Sequence, residues 1–301
     1  MKNSGTIRVA ILGTGKIASD LAARIKRSSD ISLVAVAGRR PHSEGLERLS
    51  SLAEFSTAEG LAGLSEVIDS LDGVFDATSA FDHPGHWHSL QQSGKWVVDL
   101  TPSRVGKAAV PALSGDFPEF GFDISPVANY SMVTCGGQSG SPIAAAFARS
   151  ATEIEAIEVS SSIASDSAGP ATRQNIDNYV MTTEWLMSEI AGGARSKAIL
   201  VLNPADPPPL MRTTVTMRAS RFDTKALELL LQRYVSSVQK YVPGYSIAVA
   251  PHSPNVGVIS ATAVVEGEGY FLPKHAGNLD IINASSIEVA RQHVARTRGG
   301  V

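Results

Sequence analysis

The stretch Gly13-Thr14-Gly15-Lys16-Ile17-Ala18 constrains the fold of this chain more than any other. It follows directly on Ile7 to Leu12, a β-rich apolar run, and precedes Leu21, Ala22 and Ile25, which recur at helical spacing. Strand, tight turn and helix in that order open a nucleotide-binding βα unit. Gly13 permits the turn, Gly15 lets a pyrophosphate approach the backbone, and the helix N-terminus behind them favours negative charge. A structural glycine turn without a ligand is the competing reading. A second apolar run, Ile31 to Ala37, stops at Gly38-Arg39-Arg40-Pro41 and completes a βαβ unit. NAD enzymes carry an acidic residue near this place for the ribose hydroxyl. Arg39 and Arg40 offer no acceptor there and suit a 2'-phosphate, so NADP stands beside NAD as the expected cofactor. A solvated arginine pair after a strand explains them equally.

Strand-like runs recur at residues 73–78 and 96–101, with a helix expected around Leu90 between them. This alternation predicts an α/β fold with a mostly parallel, doubly wound sheet. Past residue 150 the texture changes, because Ile154 to Ser160 alternates apolar with polar as a half-exposed antiparallel strand does. Further strands are expected at 197–202, 211–218, 246–250 and 256–265, and helices at 173–191 and 224–240, which gives the second half α+β character. At about 150 residues per domain, 301 residues suggest two domains. The expected division is 1–134 with 279–301 for the dinucleotide-binding domain, and 135–278 for a catalytic and dimerisation domain.

Lys and Arg total 26 against 29 Asp and Glu, so the net charge of -3 supplies no field for a phosphate backbone, and nucleic acid is not an expected partner. No run reaches the roughly 18 apolar residues of a membrane span. The short apolar run at the N-terminus does not make a signal-peptide core, so a cytoplasmic location is expected. His83-x-x-His86-x-His88 has a spacing suited to a transition metal, but no thiolate accompanies it and Asp82 is the adjacent carboxylate. No metal site is expected.

The chain holds one cysteine, Cys135, which excludes an intramolecular disulfide and a cysteine-rich zinc site. It stands in Ser131 to Gln138, where Cys135-Gly136-Gly137-Gln138 reads as a break before a helix starting at Ser141. A thiol near a helix N-terminus is expected to favour its thiolate, and the backbone N–H groups there suit an oxyanion. The alternative is a small buried hydrophobe.

Eight ordered blocks carry a resemblance across most of the chain. They are Gly13 to Ile17, Phe75-Asp-Ala-Thr-Ser-Ala80, Asp99-Leu-Thr-Pro102, Met132-Val-Thr-Cys-Gly-Gly-Gln138, Ser167-Ala-Gly-Pro-Ala-Thr-Arg173, Asn203-Pro-Ala205, Tyr241-Val-Pro-Gly-Tyr245 and Ala276-Gly-Asn-Leu-Asp280. Together they resemble acylating acetaldehyde dehydrogenase, the CoA-dependent family of aromatic and sterol catabolism. The resemblance implies a Rossmann-type sheet in a glyceraldehyde-phosphate-dehydrogenase-like architecture, with the final helix rejoining the nucleotide domain. It implies that Cys135 carries an acyl thioester and that coenzyme A is the acyl acceptor. The cofactor is then lined by Gly13, Thr14, Gly15, Lys16, Ile17, Arg40 and the segment Ser165, Asp166, Ser167, Ala168, Gly169, Pro170, Ala171, Thr172, Arg173, with Asn278 at the nicotinamide end. It further implies a homodimer or larger assembly, and 4-hydroxy-2-oxovalerate aldolase as the source of the aldehyde.

Three departures qualify this. The family's acidic residue after Met-Arg, a proposed acid-base group, is Thr213 here, and the tyrosine before its Ala-Gly-Asn-Leu-Asp is His275. His275 is therefore a candidate substitute base, against a packing histidine. The segment between Tyr245 and Gly267 is shorter and lacks the family's glycine-rich piece. Two other readings stand: a semialdehyde or acyl-phosphate reductase of the same fold, and a nucleotide-sensing protein without catalysis.

Overall fold

A computed structural model describes residues 5–299, apart from the side chains of Pro170 and Ala171, so those two candidate cofactor contacts lie outside the described residues. The first sheet is built from β1 (Ile7–Leu12), α1 (Lys16–Ile25), β2 (Ile31–Ala37), α2 (Glu44–Ser50), β3 (Phe55–Thr57), β4 (Gly73–Asp76), α3 (His83–Gln92), β5 (Trp96–Asp99), β6 (Lys107–Ala108) and β7 (Asn129–Ser131). Its order is β3-β2-β1-β4-β5-β7-β6, and every pairing is parallel. The chain therefore reverses its direction of progress across the sheet between β1 and β4, which leaves a crevice outside their carboxyl ends.

Gly13 makes that crevice possible. Its φ of +105° belongs to glycine, and a Cβ there would lie 2.5 Å from the Ala77 carbonyl oxygen. The turn leaving β1 is thus pressed against the chain leaving β4. Ahead of α3, α2 and the three-residue β3 carry no apolar period long enough to be read from sequence.

The second half contains α4 (Cys135–Ser150), β8 (Ala151–Ala164), α5 (Pro170–Gln174), α6 (Ile176–Ile190), β9 (Arg195–Asn203), β10 (Met211–Phe222), α7 (Thr224–Gln239), β11 (Tyr245–Asn255), β12 (Val258–Val265) and α8 (Gly277–Arg298). Five strands form a sheet in the order β11-β12-β10-β8-β9, with β8 and β9 parallel and the other pairs antiparallel. Alternate residues such as Ile157, Val159, Met211, Val215, Met217, Ala261 and Ala263 are buried in the core beneath the helices. On the opposite face Thr214 pairs with Thr262 at 2.8 Å and Thr216 with Ser260 at 3.0 Å, while Arg212 and Arg218 are exposed.

The central element is α4, buried at every residue from Gly136 to Phe147. It contacts α6, α7 and α8 as well as β8, β10 and β12. The break expected at Cys135-Gly136-Gly137-Gln138 is instead the first turn of this helix. The Thr134 hydroxyl caps it by accepting the Gly137 N–H at 2.8 Å. Glycine is required there for closeness: a Cβ on Gly136 would lie 2.0 Å from the Tyr179 hydroxyl, and one on Gly137 2.9 Å from Leu186. Packing overrides the low helix propensity of the glycine pair.

α8 lies across α1 and α4. Asp280 forms a buried ion pair with Arg24, and the Asn283 amide donates to Asp20 at 2.9 Å. The Tyr130 hydroxyl and His293 Nδ1 meet at 3.0 Å. Gly13→Ala is expected to cost about 2 to 3 kcal/mol, combining backbone strain with the Ala77 clash. Urea unfolding measures this, and a loss under about 0.5 kcal/mol would mean that the turn relaxes freely.

Candidate active site

A cleft of about 710 Å³ lies at the switch point, within the size range of small-molecule sites. The turn Gly13 to Ile17 forms one wall and Arg39, Arg40 and Ser43 form one end. Thr78, Ser79 and His86 come from the chain beyond β4, and Ser167, Gly169, Thr172 and Leu279 from the second half. Gly15 is the N-cap of α1 with extended backbone, and a Cβ there would meet nothing within 4 Å. The backbone at Gly15 is thus open to a diphosphate, with the α1 N-terminus behind it.

Arg40 makes no ion pair among the described residues, whereas Arg39 pairs with Asp82 at 3.2 Å. Asn278 is buried and its Oδ1 has no hydrogen-bond partner. Such an orphan acceptor fits a carboxamide donor such as that of nicotinamide. Cleft size, glycine turn and orphan amide together fit a nicotinamide dinucleotide.

The remaining residues of the Ser165 to Arg173 segment divide. Ser165, Asp166 and Arg173 line a neighbouring hollow with Asn203 to Asp206, and Ala168 is buried. The Arg173 guanidinium donates to the Ser165 carbonyl at 2.9 Å and to the Ala168 carbonyl at 3.0 Å, so its donors clamp its own loop. Lys16 Nζ reaches the Asp166 carbonyl at 3.4 Å, and His275 Nε2 lies 2.9 Å from the Asp166 carboxylate. His275 is therefore gathered with the cofactor loop and Lys16. It is not among the groups that act on the Cys135 thiol.

Cys135 is half-buried at the first position of α4 and touches both large apolar cores, those of the first and second sheets. The helix N-terminus does not by itself yield the expected thiolate. Burial pushes the thiol up to about 11, against the Gly136 N–H and the Tyr179 hydroxyl, which both favour the anion. Tyr179 is 7% exposed, and its hydroxyl has no aligned hydrogen-bond partner. Ser161 stands beside it, and the Ser161 and Thr213 hydroxyls meet at 3.1 Å across β8 and β10. Among the described residues no carboxylate or imidazole acts on the sulfur.

The ionised groups gather elsewhere, at the ends of β4 and β5. Asp76 accepts from His83 Nδ1 at 2.9 Å and His86 Nδ1 at 2.8 Å. Burial alone would raise this carboxyl, but the hydrogen bonds from His83, His86 and Thr78 hold it far below the usual range. Burial pushes Asp99 up to about 6, against the attraction of His83, whose Nε2 is 3.6 Å away. His88 bonds instead to Gln92 at 3.2 Å. Among the described residues no three His, Cys, Asp or Glu side chains gather closely enough to hold a metal ion.

Sequence reasoning missed Tyr179 and Ser161, and it treated His86 only as part of a metal-like spacing. Spacing along the chain offered no signal for the first two, because α6 and β8 bring them to Cys135 through the fold.

A doubly wound parallel sheet with a nucleotide-sized cleft, joined to a helix-backed mixed sheet that carries a cysteine, is the fold of the semialdehyde dehydrogenases. Two solved structures share it. Aspartate semialdehyde dehydrogenase II of Vibrio cholerae aligns with a TM-score of 0.61 at 12% identity, covering 95% of this chain and 98% of that one. The aspartate semialdehyde dehydrogenase of Candida albicans, solved with NADP, aligns with a TM-score of 0.59 at 12% identity, covering 96% and 100%. Sequence narrows the class. Residues 135–273 match the family described as prokaryotic acetaldehyde dehydrogenase, dimerisation. The acetaldehyde dehydrogenase of Spirochaeta aurantia is 44% identical over 95% of this chain and 94% of that protein, and that of Burkholderia thailandensis 42% over 100% and 99%. The chain belongs to the acetaldehyde dehydrogenase family. No helix among the described residues is long and apolar enough to cross a membrane.

Proposed function

We propose that this protein is an acylating aldehyde dehydrogenase, converting a short aldehyde, coenzyme A and a nicotinamide dinucleotide to acyl-CoA through a Cys135 thioester. The observation that carries the reading is Cys135 at the first turn of α4, next to a nucleotide-sized cleft, in a chain related along nearly its whole length to acetaldehyde dehydrogenases. The Cys135 sulfur attacks the aldehyde carbon, giving a thiohemiacetal whose oxygen is within the province of the α4 N–H groups. Loss of the hydride from that carbon, and of the hydroxyl proton to solvent, leaves a thioester on Cys135. The coenzyme A thiol then displaces the enzyme thiol, a step that suits sulfur as a leaving group. A nicotinamide bound in the cleft supplies the hydride acceptor. Gly13, Thr14, Gly15, Lys16 and Ile17 hold the diphosphate, Ser167, Gly169 and Thr172 close the cleft, and Asn278 orients the carboxamide.

The aldehyde is supplied by 4-hydroxy-2-oxovalerate aldolase on the strength of family resemblance alone, and the setting is cytoplasmic. The division at residues 134/135 and 278/279 is supported by the core that α4 shares with the second sheet, while α8 packs on both α1 and α4. The partly buried, hydroxyl-rich outer face of the second sheet is the dimer surface, supported by the family match over 135–273. A monomeric mass in sedimentation equilibrium would remove the dimer.

Mixing enzyme and cofactor with acetaldehyde is expected to give one equivalent of reduced cofactor per site without coenzyme A, and sustained turnover with it. Cys135→Ser is expected to abolish the burst and lower kcat on the order of 10³-fold or more. Turnover with phosphate in place of coenzyme A would favour the acyl-phosphate reductase instead. Arg39 and Arg40 let the cleft accept NADP as well as NAD. Arg40→Ala is expected to lower kcat/KM with NADP about tenfold, a loss of about 1.4 kcal/mol. With NAD the change should stay within about threefold, and equal losses with both cofactors would refute a 2'-phosphate contact.

A further inference from the structure

The Tyr179 hydroxyl is a buried polar atom beside the nucleophile on which Ser161 and Cys135 act, yet among the described residues it has no well-aligned hydrogen bond. A tyrosine hydroxyl at 7% exposure ordinarily finds a partner. This one is held against the α-carbon of Gly136, since a Cβ there would lie 2.0 Å from it and 2.5 Å from the Ser161 hydroxyl. The Ser161 hydroxyl in turn meets Thr213 at 3.1 Å. Three neutral hydroxyls therefore run from the thiol through the space between α6, β8 and β10. An acid in that chain would oppose negative charge on sulfur, whereas hydroxyls oppose nothing and can donate.

We propose that Tyr179 is a catalytic hydrogen-bond donor to the Cys135 sulfur in its anionic form, seated by Ser161 and Thr213. The inference rests on the Cys135 chemistry proposed above. Burial and the neighbouring thiol hold the phenol protonated well above its ordinary range, so Tyr179 donates without giving up its proton. It is the side chain that acts on the thiol, the other polar influences being the backbone N–H groups of Gly136 and Cys135. The arrangement therefore offers stabilisation of the nucleophile, not a base.

Because Cys135 is the only cysteine, iodoacetamide consumption by the full-length protein reads this sulfur alone and needs neither aldehyde nor cofactor. In the parent the rate is expected to climb about tenfold per pH unit from pH 7 to 9, since burial pushes its thiol up to about 11. Tyr179→Phe is expected to slow alkylation about tenfold at each pH in this range, equivalent to an upward shift of about one unit in the thiol midpoint. It removes an oxygen without an aligned partner, so its thermal midpoint should match the parent's. Ser161→Ala, which keeps the phenol but removes its neighbour, should shift alkylation in the same direction by less. Rates in Tyr179→Phe equal to the parent's within about twofold, or faster, would overturn the inference. If the acylating reading holds, the thiol limb of the kcat/KM profile for aldehyde moves by the same amount. Slowed alkylation in Tyr179→Phe, together with a parent that shows no coenzyme A-dependent turnover, would instead leave the donor in place and sink the reaction.

Discussion

Everything in this molecule is arranged around a helix with no free side. Helix α4 is buried from Gly136 to Phe147, so each of its faces has to be matched by a neighbour, and each neighbour belongs to a different part of the fold. β8 and β10 press on it at Gly140, α6 at Gly137, and α8 crosses it on the way back to α1. A helix that is apolar all round can be stable only inside a large core. Its first residue is consequently fixed by the packing of both halves, which is why Cys135 touches both apolar cores. Positioning a nucleophile by a rigid buried element places its sulfur with little freedom to drift.

Burial of that kind carries an electrostatic cost. The low-dielectric surroundings that fix the sulfur also disfavour its anion, and the N-terminal amides of α4 offset only part of that. The nucleotide cleft solves the opposite problem. There the backbone is brought to the surface at Gly13 to Ile17, where the close contact between Gly13 and Ala77 holds the turn open to a ligand. The chain thus keeps its anion-binding backbone at an open cleft and its nucleophile half-buried against two apolar cores, and Ser167, Gly169 and Thr172, in the segment after β8, line the cleft.

The difference explains what could be read from the sequence. The turn at Gly13 was legible because its requirements are local: a positive φ, an adjacent strand and a following helix. The parallel order of the first sheet followed from the same alternation. The helix start at Cys135 was not legible, because glycine pairs ordinarily break helices, and what holds this pair helical is crowding by Tyr179 and Leu186 from α6. Spacing also suggested His275, three residues from Asn278, whereas the fold gives it Asp166 as partner. Tyr179 carried no sequence signal at all, since its relation to Cys135 exists only once α6 lies on α4.

The separation of charge follows the same logic. Asp76, His83 and Asp99 are fully buried, yet their charges can persist because donors and acceptors are matched across the ends of β4 and β5. His86 and Thr78 extend that network to the cleft wall, where polarity is useful to a ligand. Around Cys135 the fold does the reverse: the Tyr179 hydroxyl acts on the sulfur, with the Ser161 and Thr213 hydroxyls behind it, and none of the three is ionised at neutral pH. A carboxylate in this dry region would repel a thiolate strongly, since charges in a low dielectric interact far more than in water. With the neutral hydroxyls of Ser161 and Thr213 here, two requirements come apart: moving a proton, which these groups do not meet at neutral pH, and stabilising an anion. A neutral phenol, held protonated by its own burial, meets that second requirement without adding a charge that the core would have to compensate.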